Sequence, residues 1–393
     1  MKVGHYRLLV TLLMTLFLIP AVAAAAEGAW IGSWYGAPRA GDDMFPPRLS
    51  NATLRTAVRL TIGGGRLRLL FSNLYGREAL HIGAVHVAKG GRSADVTFGG
   101  HARVTVPPGK TVTSDAVNME LSADDELEIS AFYPTLTPSP TTFSMGAEQA
   151  QYLPQLRLNE RTAGPAIRFV TTNFLNGIEV WTDKSRGAIV AVGDSITEGG
   201  RRRWPGLLGR RLAEVGKFYG VLNAGIAGNR LLGPSTGSNP TVGARFEHDA
   251  LNQPGAKYVI LSAGINDMAY PGTELDPSIA HLSAEQFEAE VRSLASRAHA
   301  RRLTVYVTTI TPYQGASSYP DLYSDQKNRV RMTINDWLRS AKEIDGYIDF
   351  DRALSDPDSP DRLNRRYDSG DHVHPNDEGE RALSDCINLS MFQ

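Results

Sequence analysis

Ala188-Ile-Val-Ala-Val-Gly-Asp-Ser-Ile-Thr-Glu-Gly199 is the stretch on which the reading of this chain turns. A short, continuous run of small and β-branched apolar residues stops abruptly at Gly193-Asp194-Ser195. Such a run suits a parallel strand covered on both faces, and the glycine then lets the backbone turn sharply. Ser195 is thereby expected at the carboxyl end of a strand. In open α/β sheets that edge is where ligands bind, and a helix starting just after it would point backbone N–H groups at a developing negative charge. Gly-Asp-Ser by itself is also an ordinary turn tripeptide, since Asp and Ser are common turn and N-cap residues. Its neighbours must decide.

Downstream, strands and helices alternate. Helical spacing is expected over Trp204 to Val215, Ser283 to Arg301 and Gln326 to Ile344, with a capping box at Ser283-Ala-Glu-Gln286. Strands are expected over Tyr219 to Asn223, Tyr258 to Ser262, Thr304 to Ile310 and Tyr347 to Phe350. This rhythm implies a parallel sheet with helices on both faces. Upstream the pattern differs. Ala57 to Ile62, Arg66 to Ser72, Ile82 to Ala88, His101 to Val106, Glu126 to Phe132, Ala166 to Thr172 and Gly177 to Trp181 are short β-rich runs. Several alternate polar with apolar, as in Arg66-Leu-Arg-Leu69, and Gly63-Gly-Gly65 and Pro107-Pro-Gly109 separate them. An antiparallel β-sandwich is expected there, with Pro134 to Thr142 as an extended loop and with Trp30 and Trp34 as packing residues. The polar gap Thr182-Asp-Lys-Ser185 marks the expected boundary, giving a sandwich over residues 27–182 and an α/β domain over residues 183–393.

Composition bounds the function classes. The chain has 393 residues, 42% hydrophobic and 21% charged, with a formal net charge of −1. That is a globular composition with no basic excess to suggest a nucleic-acid partner, and Arg201-Arg-Arg203 reads as a solvated helix entry. Lys2 and Arg7, the apolar stretch from Leu8 to Ile19, Pro20 and the alanines to Ala26 follow the three-part pattern of a secretory signal peptide over residues 1–26. A secreted or periplasmic protein is therefore expected, without stable membrane association after cleavage. The lone Cys386 allows no intrachain disulfide, so the core must hold the fold. Nothing in the sequence bears on oligomeric state.

Four segments carry candidate chemistry, each at or just past an expected strand end: Gly193-Asp194-Ser195, Asn223-Ala-Gly-Ile-Ala-Gly228-Asn229, Ala263-Gly-Ile-Asn266-Asp267 and Tyr367-Asp-Ser-Gly-Asp371-His-Val-His374-Pro-Asn376. Each alone has a structural explanation, as a turn, a cap or a buried histidine. Their recurrence at one sheet edge suits acyl transfer. A serine hydroxyl needs a base, and imidazole is suited to that at neutral pH. His374 can fill that role, and Asp371 can fix its tautomer and stabilise the imidazolium. The N–H groups of Ser195 and Gly228 and the Asn266 amide could stabilise an oxyanion, each worth roughly 3 kcal/mol. The His372-x-His374 pair invites a metal reading, but no third spaced ligand cluster accompanies it.

Gly193-Asp194-Ser195-Ile196, Gly228, Gly264-x-Asn266-Asp267 and Asp371-x-x-His374 resemble, in order, the four blocks of the SGNH (GDSL-type) hydrolases. The resemblance spans residues 188–376 and implies a flavodoxin-like three-layer α/β/α fold. It also implies ester hydrolysis with neither metal nor cofactor, Ser195, Gly228, Asn266 and His374 as the namesake residues, and Asp371 completing the triad. The first half is similar to the jelly-roll-like β-sandwich of a secreted subgroup, through Trp30-Ile-Gly-Ser-Trp34 and Gly64-Gly-Arg-Leu-Arg-Leu-Leu-Phe-Ser-Asn73. The segment from Glu198 to Trp204 is shorter than in that subgroup, which implies a more open cleft. The expected function is a secreted serine esterase acting on small-molecule or glycan esters, with short acyl groups. Two alternatives stay open at this point, an O-acyltransferase and a carbohydrate-binding protein with vestigial esterase activity.

Overall fold

A computed structural model of the chain describes residue 1 and residues 28–41, 48–143, 149–155, 167–169, 172–198, 203–233, 239–317 and 320–393. The expected signal peptide after Met1, and residues 199–202 of the link from Glu198 to Trp204, lie outside the described residues. Among these residues, no helix is long and apolar enough to cross a membrane.

Ala188–Gly193 is a strand with every residue buried, as its uninterrupted apolar run requires. It lies inside a five-stranded parallel sheet whose spatial order is 220–225, 188–193, 256–262, 304–308, 346–348. In chain order this is 2-1-3-4-5, the flavodoxin-like arrangement, and the order reverses at 188–193. The crevice at the carboxyl ends of 188–193 and 256–262 is therefore the place where such a sheet binds ligands. Helices Trp204–Glu214, Phe350–Leu354 and Asp377–Cys386 pack together as one group. Val242–Phe246, Ala284–His299 and Asp325–Leu338 form a second group. In the first, Trp204 is wholly buried and its ring meets Phe350 edge-on at 5.4 Å. In the second, Ser283 and Gln286 close the expected capping box.

The upstream half is antiparallel, in two main sheets. One has the order 29–35, 175–182, 64–72, 117–121, with 111–113 also paired to 64–72. The other runs 167–169, 149–154, 52–59, 126–133, 84–89, 92–96. The Arg-Leu alternation explains how the first sheet is sided. Leu67, Leu69 and Phe71 are wholly buried in the core, whereas Arg66 and Arg68 stand on the opposite face. There the Arg66 guanidinium lies over Trp181 at 4.7 Å and that of Arg68 over Trp30 at 4.5 Å. Trp30 and Trp34, read from sequence as packing residues, belong to a full strand, Ala29–Tyr35. The expected loop at Pro134 to Thr142 ends in a short strand, Thr141–Phe143.

Strand Ala29–Tyr35 also reaches the parallel sheet. Gly32 N–H donates to Pro254 O at 3.0 Å, Gly36 bridges Asn223, and Thr61 Oγ1 accepts from Val221 N–H at 2.9 Å. The two halves thus meet along 220–225, the edge strand of the parallel sheet, whose backbone would otherwise be open to pairing.

Candidate active site

Ser195 follows the strand in a turn, not at the start of a helix. Asp194 O accepts from the N–H groups of Thr197 at 3.1 Å and Glu198 at 2.9 Å, and Asp194 Oδ1 accepts from Ile196 N–H at 3.0 Å. The helix expected over Trp204 to Val215 runs from Trp204 to Glu214, and its first N–H is taken by Glu380 Oε2 at 2.9 Å. The buried acid Glu380 thus caps that helix end. Gly193 also has a different reason from the one expected. It is still in the strand, and a Cβ there would collide with Ser262 O and stand 2.6 Å from Thr197 Oγ1. Close packing of the next strand demands the glycine, not a sharp turn.

The other segments converge on this edge. Asn223 Nδ2 donates to Thr197 O at 2.7 Å, and Glu198 Oε2 accepts from Ala227 N–H at 2.8 Å, which ties the serine turn to the 226–229 loop. Gly228 holds φ +70° in that loop. Gly264 has φ +130°, and a Cβ there would lie 2.7 Å from Phe287 Cε2, so only glycine lets the chain enter the 265–269 helix beside that ring. Asn266, 6% exposed, then delivers its amide, and Nδ2 donates to Asn229 O at 2.9 Å. Asp267 beside it accepts from the N–H groups of Leu231 and Leu232, both at 2.9 Å.

The final segment is a loop closed on itself. Asn376 N–H donates to Tyr367 O at 2.7 Å, Ser369 N–H to His374 O at 3.0 Å, and Asn376 caps the 377–386 helix. Asp371 Oδ1 accepts from His374 N–H at 2.8 Å and Val373 N–H at 3.0 Å, while Oδ2 meets His374 Nδ1 at 2.5 Å. His374 Nε2 lies 2.8 Å from Ser195 Oγ. Ser195, His374 and Asp371 thus form one hydrogen-bonded line across the strand ends.

Electrostatics separate the carboxyls. Partial burial opposes the charge of Asp371, but the His374 ring and the two backbone N–H donors outweigh it and hold the carboxyl at about 2. Asp194 and Asp267 are pushed up to about 7, chiefly by burial, with Asp267 also raising Asp194. Glu380 is likewise pushed up to about 7 by burial. His372 is bound through Nδ1 to Asp368 Oδ2 at 2.5 Å and takes no part in the Ser195 line. Among the described residues, no group of three or more His, Cys, Asp or Glu side chains could hold a metal ion.

One part of the surroundings escaped the sequence reading. Arg245, 5% exposed, donates to Gly193 O, Ala224 O and Asn229 Oδ1, yet its segment shows only an ordinary Arg-x-x-x-Asp spacing. An arginine four residues before an aspartate is usually a surface pair, so nothing local marked it as buried.

The family model of GDSL-like lipases and acylhydrolases matches residues 191–382. No curated protein matches the chain. Solved structures similar to it include a GDSL-like lipase from Bacteroides thetaiotaomicron, at 20% identity over 52% of this chain and 87% of that one, with a TM-score of 0.40. Another is a catalytic mutant of an acetylxylan esterase from Geobacillus stearothermophilus, at 22% identity over 51% of this chain and 92% of that one, with a TM-score of 0.38. Residues 191–382 thus match a GDSL-like lipase/acylhydrolase domain, which supports a hydrolase acting on esters.

Proposed function

We propose that the protein is an exported serine esterase that cleaves short acyl groups from small-molecule or sugar esters through an acyl-enzyme. The observation that carries this reading is the line from Ser195 Oγ to His374 Nε2 at 2.8 Å and from His374 Nδ1 to Asp371 Oδ2 at 2.5 Å. His374 Nε2 takes the Ser195 proton as Oγ attacks the ester carbonyl, and the carboxylate of Asp371 stabilises the resulting imidazolium. The oxyanion is met by Ser195 N–H, Gly228 N–H and the Asn266 amide, one hydrogen of which is committed to Asn229 O. Collapse returns the proton from His374 to the departing alcohol. Water, deprotonated by the same imidazole, then attacks the acyl-enzyme and frees the acid and Ser195. No step requires a metal or cofactor.

The leader-like N-terminus supports export. Hydrolysis of p-nitrophenyl esters of rising chain length and of acetylated oligosaccharides tests both parts. Ser195→Ala is expected to lower kcat by several orders of magnitude with the fold intact. Near-normal turnover in that variant would end the proposal, and a preference for long acyl chains would end the substrate assignment.

A further inference from the structure

We propose that Tyr35, in the antiparallel half, is a positioning residue for the oxyanion-binding groups, acting through Asp249 and Arg245. The inference rests on the serine-esterase reading of Ser195. It also gives that half a part in catalysis.

Arg245 is the hub. Its Nη2 donates to Gly193 O at 2.8 Å, two residues before Ser195. Nη1 donates to Ala224 O at 2.8 Å, at the end of the strand leading to Gly228. Nε donates to Asn229 Oδ1 at 2.9 Å, and the backbone carbonyl of Asn229 holds the Asn266 amide at 2.9 Å. One planar guanidinium therefore fixes, relative to one another, the three segments that carry the Ser195, Gly228 and Asn266 donors. Its fork geometry suits this; a single ammonium could not reach three such acceptors.

A buried guanidinium needs a countercharge. Asp249, 1% exposed, supplies it, with Oδ2 accepting from Arg245 Nη1 at 2.7 Å. Asp249 Oδ1 accepts the Tyr35 hydroxyl at 2.7 Å and lies 2.6 Å from His248 Nδ1. Tyr35 is itself 4% exposed and comes from strand Ala29–Tyr35, 214 residues away in sequence. Asn176 Nδ2, donating to Gly36 O at 2.9 Å, anchors the backbone beside it. Without the hydroxyl, Asp249 loses a donor on Oδ1 and turns toward His248, and Arg245 follows its carboxylate. Preorganised oxyanion donors lose much of their effect with such a shift, because they act only where the charge develops.

The test measures kcat, KM, thermal midpoint and inhibition by a boronic acid, which forms a tetrahedral adduct on serine, for Tyr35→Phe and Arg245→Lys beside Ser195→Ala. Tyr35→Phe is expected to lower kcat about tenfold and Arg245→Lys about 100-fold, since a misplacement of ~1 Å costs that order. KM should stay within about twofold, and boronate affinity should fall in parallel with kcat, as for a group felt mainly in the transition state. Wild-type kcat in either folded variant overturns the inference, as does a loss confined to KM or one matching the unfolded fraction. Should one variant fail to fold, the other decides. Activity surviving in Ser195→Ala would instead defeat the esterase reading, so the two failures are distinct.

Discussion

Asp371→Asn isolates the tautomer of His374. Asp371 Oδ1 is held by two backbone N–H groups, at 2.8 and 3.0 Å, and Oδ2 faces His374 Nδ1 at 2.5 Å. In the variant the amide oxygen keeps the Oδ1 place, because the flipped amide would turn its NH2 toward two N–H donors. That flip loses two hydrogen bonds, each worth about 1 kcal/mol net, and leaves two part-buried donors facing an NH2 group. The amide NH2 then occupies the Oδ2 place and donates to Nδ1. The imidazole proton is driven to Nε2, where it points at Ser195 Oγ, 2.8 Å away in the native protein. A ring nitrogen that donates cannot accept the serine proton. A loss of ~10⁴ in kcat is expected, as for the corresponding change in serine proteases, equivalent to ~5 kcal/mol in the barrier. The assay is steady-state hydrolysis of p-nitrophenyl acetate at neutral pH, with circular dichroism to verify the fold. Asp371→Asn should be at least as damaging as Asp371→Ala, which leaves the tautomer free, although Asn is the closer isostere. A folded Asp371→Asn enzyme within tenfold of wild type would refute this reasoning.

Gly264→Ala should destabilise the protein by about 2–3 kcal/mol, combining a strained φ of +130° with a Cβ 2.7 Å from Phe287, and a denaturant midpoint equal to wild type would contradict the packing described. Stability should also depend on pH. Asp194, Asp267 and Glu380, raised to about 7, bind protons in the folded state that the unfolded chain has released. Their contribution is therefore fully present below the ordinary carboxylate range and is lost as pH rises to about 7, with a slope of up to ~1.4 kcal/mol per pH unit per group. Asp371, lowered to about 2, acts in the opposite sense: its contribution is present above the ordinary carboxylate range and is lost as pH falls toward 2. Urea titrations at pH 5, 6 and 7 should show a falling midpoint; a rising one would contradict the burial of the three acids. Prolonged treatment with EDTA should leave ester hydrolysis unchanged, and loss of activity restored by a divalent cation would overturn the cofactor-free mechanism.

What could be read locally was read well where the cause is local. The run before Ser195, the capping box at Ser283 and the alternation of Arg66 to Leu69 each follow from one element's own periodicity or cap. Glycines were harder. Gly193 and Gly264 look alike as residues at strand ends, but one is required by a neighbouring carbonyl and the other by its φ and an aromatic ring. The cap on the Trp204 helix comes from Glu380, 176 residues away, beyond the reach of any local signal.

The amino-acid sequence by itself determined the alternation of parallel strands and helices and, to within about two residues, the strands that lead to Ser195 and Asn266, because strand-forming runs and glycine turns are short-range properties. Tertiary structure alone decided that Ser195, His374 and Asp371 meet in one hydrogen-bonded line, since that depends on strand order. It alone also decided that Tyr35, Asp249 and Arg245 lie buried behind them. Burying a charge is tolerable only when partners arrive from elsewhere in the chain, and such partners come together only on folding.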